Sequence, residues 1–255
     1  MLEGRTALVT GSLDGIGWAI ARALAARGAA VMLNGFGPQA LVKERIQSLP
    51  NADYNGADLA DAAQIEALVR ATEKRLGPVD ILVNNAVTRH NAPVEELPPD
   101  KWSYAVAVNL SAPFHLIRLT IAGMKQRRWG RIINLASTYG LIGTANRADY
   151  VATKHGLVGL TRVVALEAAP FNVTCNALCP ALVATPNTER LVAEKMKSSG
   201  LGAEQTLQAF IADRQATGRL VPAEHVAALA VFLCSEEAAH MTGTPIPIDG
   251  GWLSR

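Results

Sequence analysis

Short runs rich in Val, Ile and Leu alternate with helical patterns along the whole chain, and that alternation restricts its folds more than any other feature. Residues 6–10 read as a strand and 15–27 as a helix, with Ile16, Ala19, Ile20, Ala23 and Leu24 on one face and Gly28 as its left-handed stop. Further strands are predicted at 30–34, 53–55, 79–84, 131–136, 173–178 and 245–248. Helices are predicted at 39–49, 62–76, 99–110, 113–127, 150–168 and 224–234. Apolar strands alternating with helices imply a parallel sheet covered on both faces, and right-handed crossovers make it doubly wound. The expected fold class is therefore α/β: a single-domain, Rossmann-like parallel sheet of about seven strands spanning 1–255. The polar, mixed segment 187–220 reads as a helical insertion within it, a candidate substrate lid.

Composition narrows the function. The chain has 255 residues, 49% hydrophobic and 18% charged, with a formal net charge of +2, which suits one full globular core. No basic stripe points to nucleic acid. Lys125, Arg127, Arg128 and Arg131 form the densest basic cluster and read as a solvated helix end. Three cysteines, Cys175, Cys179 and Cys234, match neither a disulfide framework nor a metal knuckle. Reduced thiols fit a cytoplasmic protein, and no metal is expected. No charged-then-apolar leader is read at the start. Apolar stretches such as 226–234 fall short of the ~20 residues of a membrane span, so no membrane partner is expected.

Ligands on doubly wound sheets bind beyond the carboxyl ends of the strands. Thr10-Gly11-Ser12-Leu13-Asp14-Gly15-Ile16-Gly17 joins the first strand to the first helix. Glycines there permit close backbone approach, and the free N–H groups of a helix start favour a diphosphate. The same glycines can also serve only to turn the chain. Asp58-Leu59 follows the third strand and Asn84-Asn85-Ala86 the fourth. Tyr150 and Lys154 are four apart at a helix start, hence on one face, and an adjacent ammonium favours a phenolate. An exposed helical pair gives the same spacing. Ser137, at the carboxyl end of the fifth strand, would stand beside them.

In this order, Thr-Gly-x-x-x-Gly-x-Gly, Asn-Asn-Ala, Ser137, Tyr150 and Lys154 resemble the short-chain dehydrogenase/reductase family over essentially the whole chain, down to Asp249-Gly250-Gly251. The resemblance implies a catalytic set of Asn109, Ser137, Tyr150 and Lys154. In it Tyr150 moves the proton, Ser137 holds the substrate oxygen, Asn109 orders a water and Lys154 binds the ribose. It implies dinucleotide contacts from Gly11, Leu13, Gly15, Ile16, Gly17, Asn34, Phe36, Asp58, Leu59, Asn85, Ala86, Tyr150, Lys154, Pro180, Val183 and Thr185. Two positions depart from the family: Val87 and Ala181 stand where it usually has glycine, and a side chain there is strained if φ is positive. A 2′-phosphate needs a cation near Asn34-Gly35-Phe36-Gly37 or the glycine loop. None is adjacent in sequence and Asp14 would repel it, so NAD is favoured over NADP. Phe36 either flanks the adenine or covers the sheet edge.

Within the family, Leu33-Asn34-Gly35-Phe36-Gly37, Asn109-Leu110-Ser111-Ala112 and Asp249-Gly250-Gly251-Trp252 resemble the bacterial D-3-hydroxybutyrate dehydrogenases. The implied pocket is Arg89, Ser137, Tyr139, Arg147, Leu182, Leu191 and Trp252. That branch usually has Gln, His and Lys where this chain has Arg89, Tyr139 and Arg147, and Trp and Gln where it has Leu182 and Leu191. The two arginines suit a carboxylate clamp, and either is equally explained as a solvated surface group. The expected function is an NAD-dependent interconversion of a 3-hydroxy acid and its 3-keto acid. The alternatives are a reductase of a bulkier, cyclic or carrier-bound keto substrate, and a non-catalytic dinucleotide-binding protein. The resemblance also implies a homo-oligomer, a tetramer, formed through helices 113–127 and 150–168 and the C-terminal strand.

Overall fold

In the computed structural model, residues 2–200, 202–212 and 214–254 are described, except for the side chains of 198 and 199. Positions 201 and 213 of the expected insertion therefore lie outside the described residues. In chain order the elements are β1 (Thr6–Val9), α1 (Gly15–Ala25), β2 (Ala30–Asn34), α2 (Gln39–Gln47), β3 (Ala52–Asn55), α3 (Ala62–Leu76) and β4 (Val79–Asn84). There follow α4 (Pro99–Val106), α5 (Ala112–Arg127), β5 (Gly130–Leu135), α6 (Ala148–Ala168), β6 (Val173–Pro180) and β7 (Val183–Ala184). The chain ends with α7 (Pro186–Ser199), α8 (Ala203–Ala212), β8 (Val221–Pro222), α9 (Ala223–Leu233) and β9 (Pro245–Ile248). Seven strands form one parallel sheet in the order β3-β2-β1-β4-β5-β6-β9, and β7 pairs with β8 beside it.

Period-two side chains supply a core on each face. Ala7 and Val9 of β1, with Val31 and Leu33 of β2, meet Ile20 and Leu24 of α1 and Val226 of α9. Leu8 and Met32 point the other way, onto Ile65 and Leu68 of α3 and Leu116 and Met124 of α5. Strand order reverses between β2-β1 and β4, which leaves a cleft beyond the carboxyl ends of β1 and β4 where no crossover helix covers the sheet.

Three expectations change in detail. Helix α1 stops at Ala25 with a right-handed cap at Ala26, and Gly28 makes its positive-φ turn (95°) two residues later. The helices expected at 99–110 and 113–127 join through a π-helical turn at Ala107–Ser111, so Pro113 opens α5 without breaking the rod. That rod, Pro99–Arg127, is long and apolar enough to cross a membrane, but its side chains Leu116, Ile117 and Met124 are buried in the core. The basic cluster is not uniformly solvated either. Arg131 is wholly buried, stacked 4.6 Å from the Trp129 ring centre, and Arg127 binds Asp80 at 3.2 Å.

Candidate active site

The chain leaves β1 through Thr10 and turns at Gly11 (φ 59°) and Gly15 (φ 51°) into α1. Asp14 precedes the helix in extended conformation and gives no side-chain cap, so the first-turn N–H groups remain available where Gly15 and Ile16 face the cleft. The turn is held from β4. Asn85 Nδ2 donates to the carbonyls of Thr10 (2.9 Å) and Gly11 (2.8 Å), and the N–H groups of Asn85 and Ala86 donate to Thr10 Oγ1. Gly17 is required by close approach, because a Cβ there would overlap the Gly11 carbonyl and the Asn85 amide. A loop of free N–H groups at a helix start, clamped from behind, fits the diphosphate of a dinucleotide. When bound, that group supplies a hydride donor or acceptor.

The second half of the cleft follows β5 and opens α6. Ser137 caps a short 3₁₀ turn at Thr138–Gly140, its Oγ accepting the Tyr139 N–H at 3.1 Å. Tyr150 and Lys154 lie on the buried face of α6. Burial pushes the Tyr150 phenol above its ordinary value; a hydrogen bond with Ser137 and the positive charges of Arg89 and Arg147 oppose it. Burial also lowers Lys154 to about 7, and its Nζ donates to the Leu135 carbonyl at 2.5 Å. Lys154 Nζ lies 5.6 Å and the Arg89 guanidinium 6.0 Å from the Tyr150 ring centre, so a lysine and an arginine both stand beside the phenol.

One cavity of about 1080 Å³ joins the two halves. It brings together Gly11, Gly15, Ile16, Asn85, Ala86, Pro180, Val183 and Thr185 with Ser137, Tyr150 and Lys154. It also gathers the whole expected pocket: Arg89, Tyr139, Arg147, Leu182, Leu191 and Trp252. Leu13, Gly17, Asn34, Phe36, Asp58, Leu59 and Asn109 do not line it. Asn34 is buried and its Nδ2 donates to the carbonyls of Asn55 and Ala57, which removes it as a ribose ligand; it ties β2 to the loop after β3 instead. Phe36 is 69% exposed. Asn109 does not line the cleft itself but holds a residue that does: Oδ1 accepts the Thr88 N–H and Nδ2 donates to the Thr88 carbonyl, both at 2.8 Å. Neither Val87 nor Ala181 has a positive φ, so the side chains replacing glycine bring no backbone strain.

Sequence reading missed the supports. Asp149 is fully buried and accepts the N–H of His90 at 2.8 Å and of Tyr150, fixing the Arg89 loop to the start of α6. A bridge between Ala92 and Arg147 does the same from the backbone. Arg190 on α7 and Arg214 after α8 also line the cleft. A charged residue directly before Tyr150 is the available signal for Asp149; nothing in the sequence pattern marks Arg190 or Arg214.

A seven-stranded parallel sheet with a clamped glycine turn and a buried Tyr-x-x-x-Lys pair at one cleft defines a dinucleotide-dependent oxidoreductase. A family profile described as enoyl-(acyl carrier protein) reductase matches residues 11–253. Among curated proteins, a D-beta-hydroxybutyrate dehydrogenase of Cupriavidus necator is 45% identical over all of both chains, and one of Rhizobium meliloti is 41% identical over 98% of this chain and 99% of its own. Among solved structures, an actinorhodin polyketide ketoreductase crystallised with NADPH superposes with a TM-score of 0.91 at 34% identity, covering 99% of each chain. The chain belongs to the short-chain dehydrogenase/reductase family, whose members act on hydroxyl and keto groups.

Proposed function

We propose that this chain is an NAD-dependent dehydrogenase interconverting a 3-hydroxy acid of the 3-hydroxybutyrate type and its 3-keto acid. The observation that carries the reading is the meeting of Tyr150, Ser137, Arg89 and Arg147 at one cavity, with the Arg89 guanidinium 6.0 Å from the Tyr150 ring centre. A carboxylate on the guanidinium groups brings a carbinol two carbons away to the phenol. In oxidation Tyr150 accepts the hydroxyl proton as the carbinol C–H leaves as hydride; in reduction the protonated phenol returns it to the ketone oxygen. Ser137 holds that oxygen, Lys154 orients the ribose, and Asn109 acts by fixing the loop that carries Arg89.

NAD is preferred for a local reason. Arg45 of α2 reaches the glycine loop, but its Nε donates to the Leu13 carbonyl (3.1 Å), its Nη1 pairs with Glu44 (3.0 Å), and it stacks on Trp18. It is thus engaged away from a 2′-phosphate. The whole chain acts as one catalytic domain with 187–220 as its lid, since Leu182, Leu191, Arg190 and Arg214 reach the cleft from that side. Exposed Phe114, Val163, Leu166 and Phe232 suit burial between copies in a cytoplasmic homo-tetramer.

Initial rates of NADH formation with D-3-hydroxybutyrate, with NADP run alongside, test the assignment. Turnover with NAD at least about tenfold more efficient than with NADP is the expected result. No turnover of any 3-hydroxy acid with either dinucleotide would sink it. Hydrogen exchange of 187–220 that does not slow on adding NAD and substrate would remove the lid.

A further inference from the structure

Three segments far apart in the chain each bring one residue to the cleft: Leu182 between β6 and β7, Arg214 after α8, and Trp252 in the turn after β9. They meet at Gln215, which does not line the cleft itself. Gln215 is 1% exposed, whereas Gln205 and Gln208 of α8 are exposed. Both ends of its amide are used. Oε1 accepts the Leu182 N–H at 3.1 Å, and Nε2 donates to the Arg219 carbonyl at 2.9 Å. The Val221 N–H donates to the Leu182 carbonyl at 2.9 Å, where β8 pairs with β7. The N–H and the carbonyl of Leu182 are therefore both held by the stretch 215–221.

The same residue abuts the C-terminal turn. Gly250 has a positive φ (61°), and a Cβ there would lie 3.1 Å from Gln215 Cβ and 2.6 Å from Thr217 Oγ1. The Thr217 N–H donates to the Gly250 carbonyl at 3.1 Å. Asp249 closes the turn, accepting the N–H groups of Gly251 (3.0 Å) and Leu253 (2.8 Å). Trp252, carried on that turn, stands 5.2 Å from Tyr139, whose ring is 6.4 Å from that of Tyr150. Packed groups thus run from Gln215 to the ring of the reacting phenol in one direction and to Leu182 in the other. An apolar side chain of the same length would fill this space but fix no direction. A buried amide bonded at both ends does fix one, because any shift leaves a polar group without its partner.

We propose that Gln215 is a positioning residue for substrate recognition: its amide fixes Leu182 against the turn that carries Trp252, and so sets the shape of the cleft around the hydroxy acid. It touches neither substrate nor dinucleotide and acts through the residues it holds. This rests on the reading of the cleft as the seat of 3-hydroxy acid oxidation and adds the group that keeps the Leu182 and Trp252 walls in register.

The test uses two variants. Gln215→Met keeps the length and the burial and removes both bonds; Gln215→Asn keeps an amide but is one methylene too short to place it. Both are assayed beside the wild type with NAD and D-3-hydroxybutyrate, with dinucleotide affinity from fluorescence titration and folding from thermal melts. KM for the hydroxy acid is expected to rise about fivefold or more in each, while kcat and NAD affinity stay within about threefold. Should one variant fail to fold, the other decides alone. An unchanged KM in a folded variant overturns the assignment and leaves the underlying reading standing. So does a joint loss of kcat, KM and dinucleotide affinity, or failure of both variants to fold, since either shows a structural role only. A wild type that turns over no 3-hydroxy acid removes the underlying reading along with this one.

Discussion

The ammonium of Lys154 donates to the backbone carbonyl of Leu135, the last residue of β5, at 2.5 Å. A fully buried lysine is thus anchored to the strand that delivers Ser137, and its position is set by the sheet rather than by its own flexible stem. One neutral acceptor does not repay the desolvation of an ammonium, which is why this group falls from its usual range to about 7.

That fall makes stability depend on pH. Between about 7 and the unfolded value near 10.4, the unfolded chain holds a proton on this lysine that the native chain has released. Native stability from this group therefore rises with pH through that window and is lowest below about 7. Denaturant unfolding of wild type and Lys154→Met at pH 7, 8 and 9 should show wild type gaining on the variant by up to about 1 kcal/mol per pH unit. A constant difference would refute the assignment of a depressed lysine.

Tyr150→Phe removes the proton-transfer group and keeps the ring. Turnover should fall by about 10²–10⁴-fold while dinucleotide affinity, measured by fluorescence titration, stays within about threefold. Ser137→Ala is expected to cost less, because Tyr150 and the arginines still address the substrate oxygen.

Gly17→Ala places a methyl against the Gly11 carbonyl and the Asn85 amide. The loop must open to admit it, at a cost of about 1–3 kcal/mol in stability and a large loss of dinucleotide affinity. Asn85→Ala withdraws the donors to Thr10 and Gly11 and should weaken the same affinity with a smaller loss of stability. Thermal melts with and without NAD separate the two.

Asp149 positions rather than reacts. Asp149→Ala leaves the His90 N–H without its acceptor and frees the loop carrying Arg89. We expect KM for the hydroxy acid to rise about tenfold with a smaller change in kcat, and Asp149→Asn, which keeps one of the two acceptor oxygens and turns an NH2 toward the other N–H, to restore only part of it. An unchanged KM in Asp149→Ala would show that this residue does not position the Arg89 loop.

The fold was largely legible because periodicity reports burial directly. Leu8 facing one side of the sheet while Ala7 and Val9 face the other is the alternation the residues themselves display. What stayed hidden depends on contacts distant in sequence. Asn34 stands at the right place after β2 for a ribose, and only the approach of Asn55 and Ala57 shows that its amide is already occupied. The join at Ala107–Ser111 was equally hidden, since a π turn accommodates Pro113 where an α-helical reading requires a break. Arg190 and Arg214 belong to the segment least patterned by burial, so nothing in their spacing placed them at the cleft.

The cleft-lining side chains Arg89, Tyr139, Arg147, Leu182 and Leu191 all sit beyond the ends of β4, β5 and β6, none within a strand. Recognition has been separated from architecture: these five positions can be exchanged for those of another branch without disturbing either half of the core. Grafting a new selectivity onto this chain should thus leave its melting temperature almost where it began.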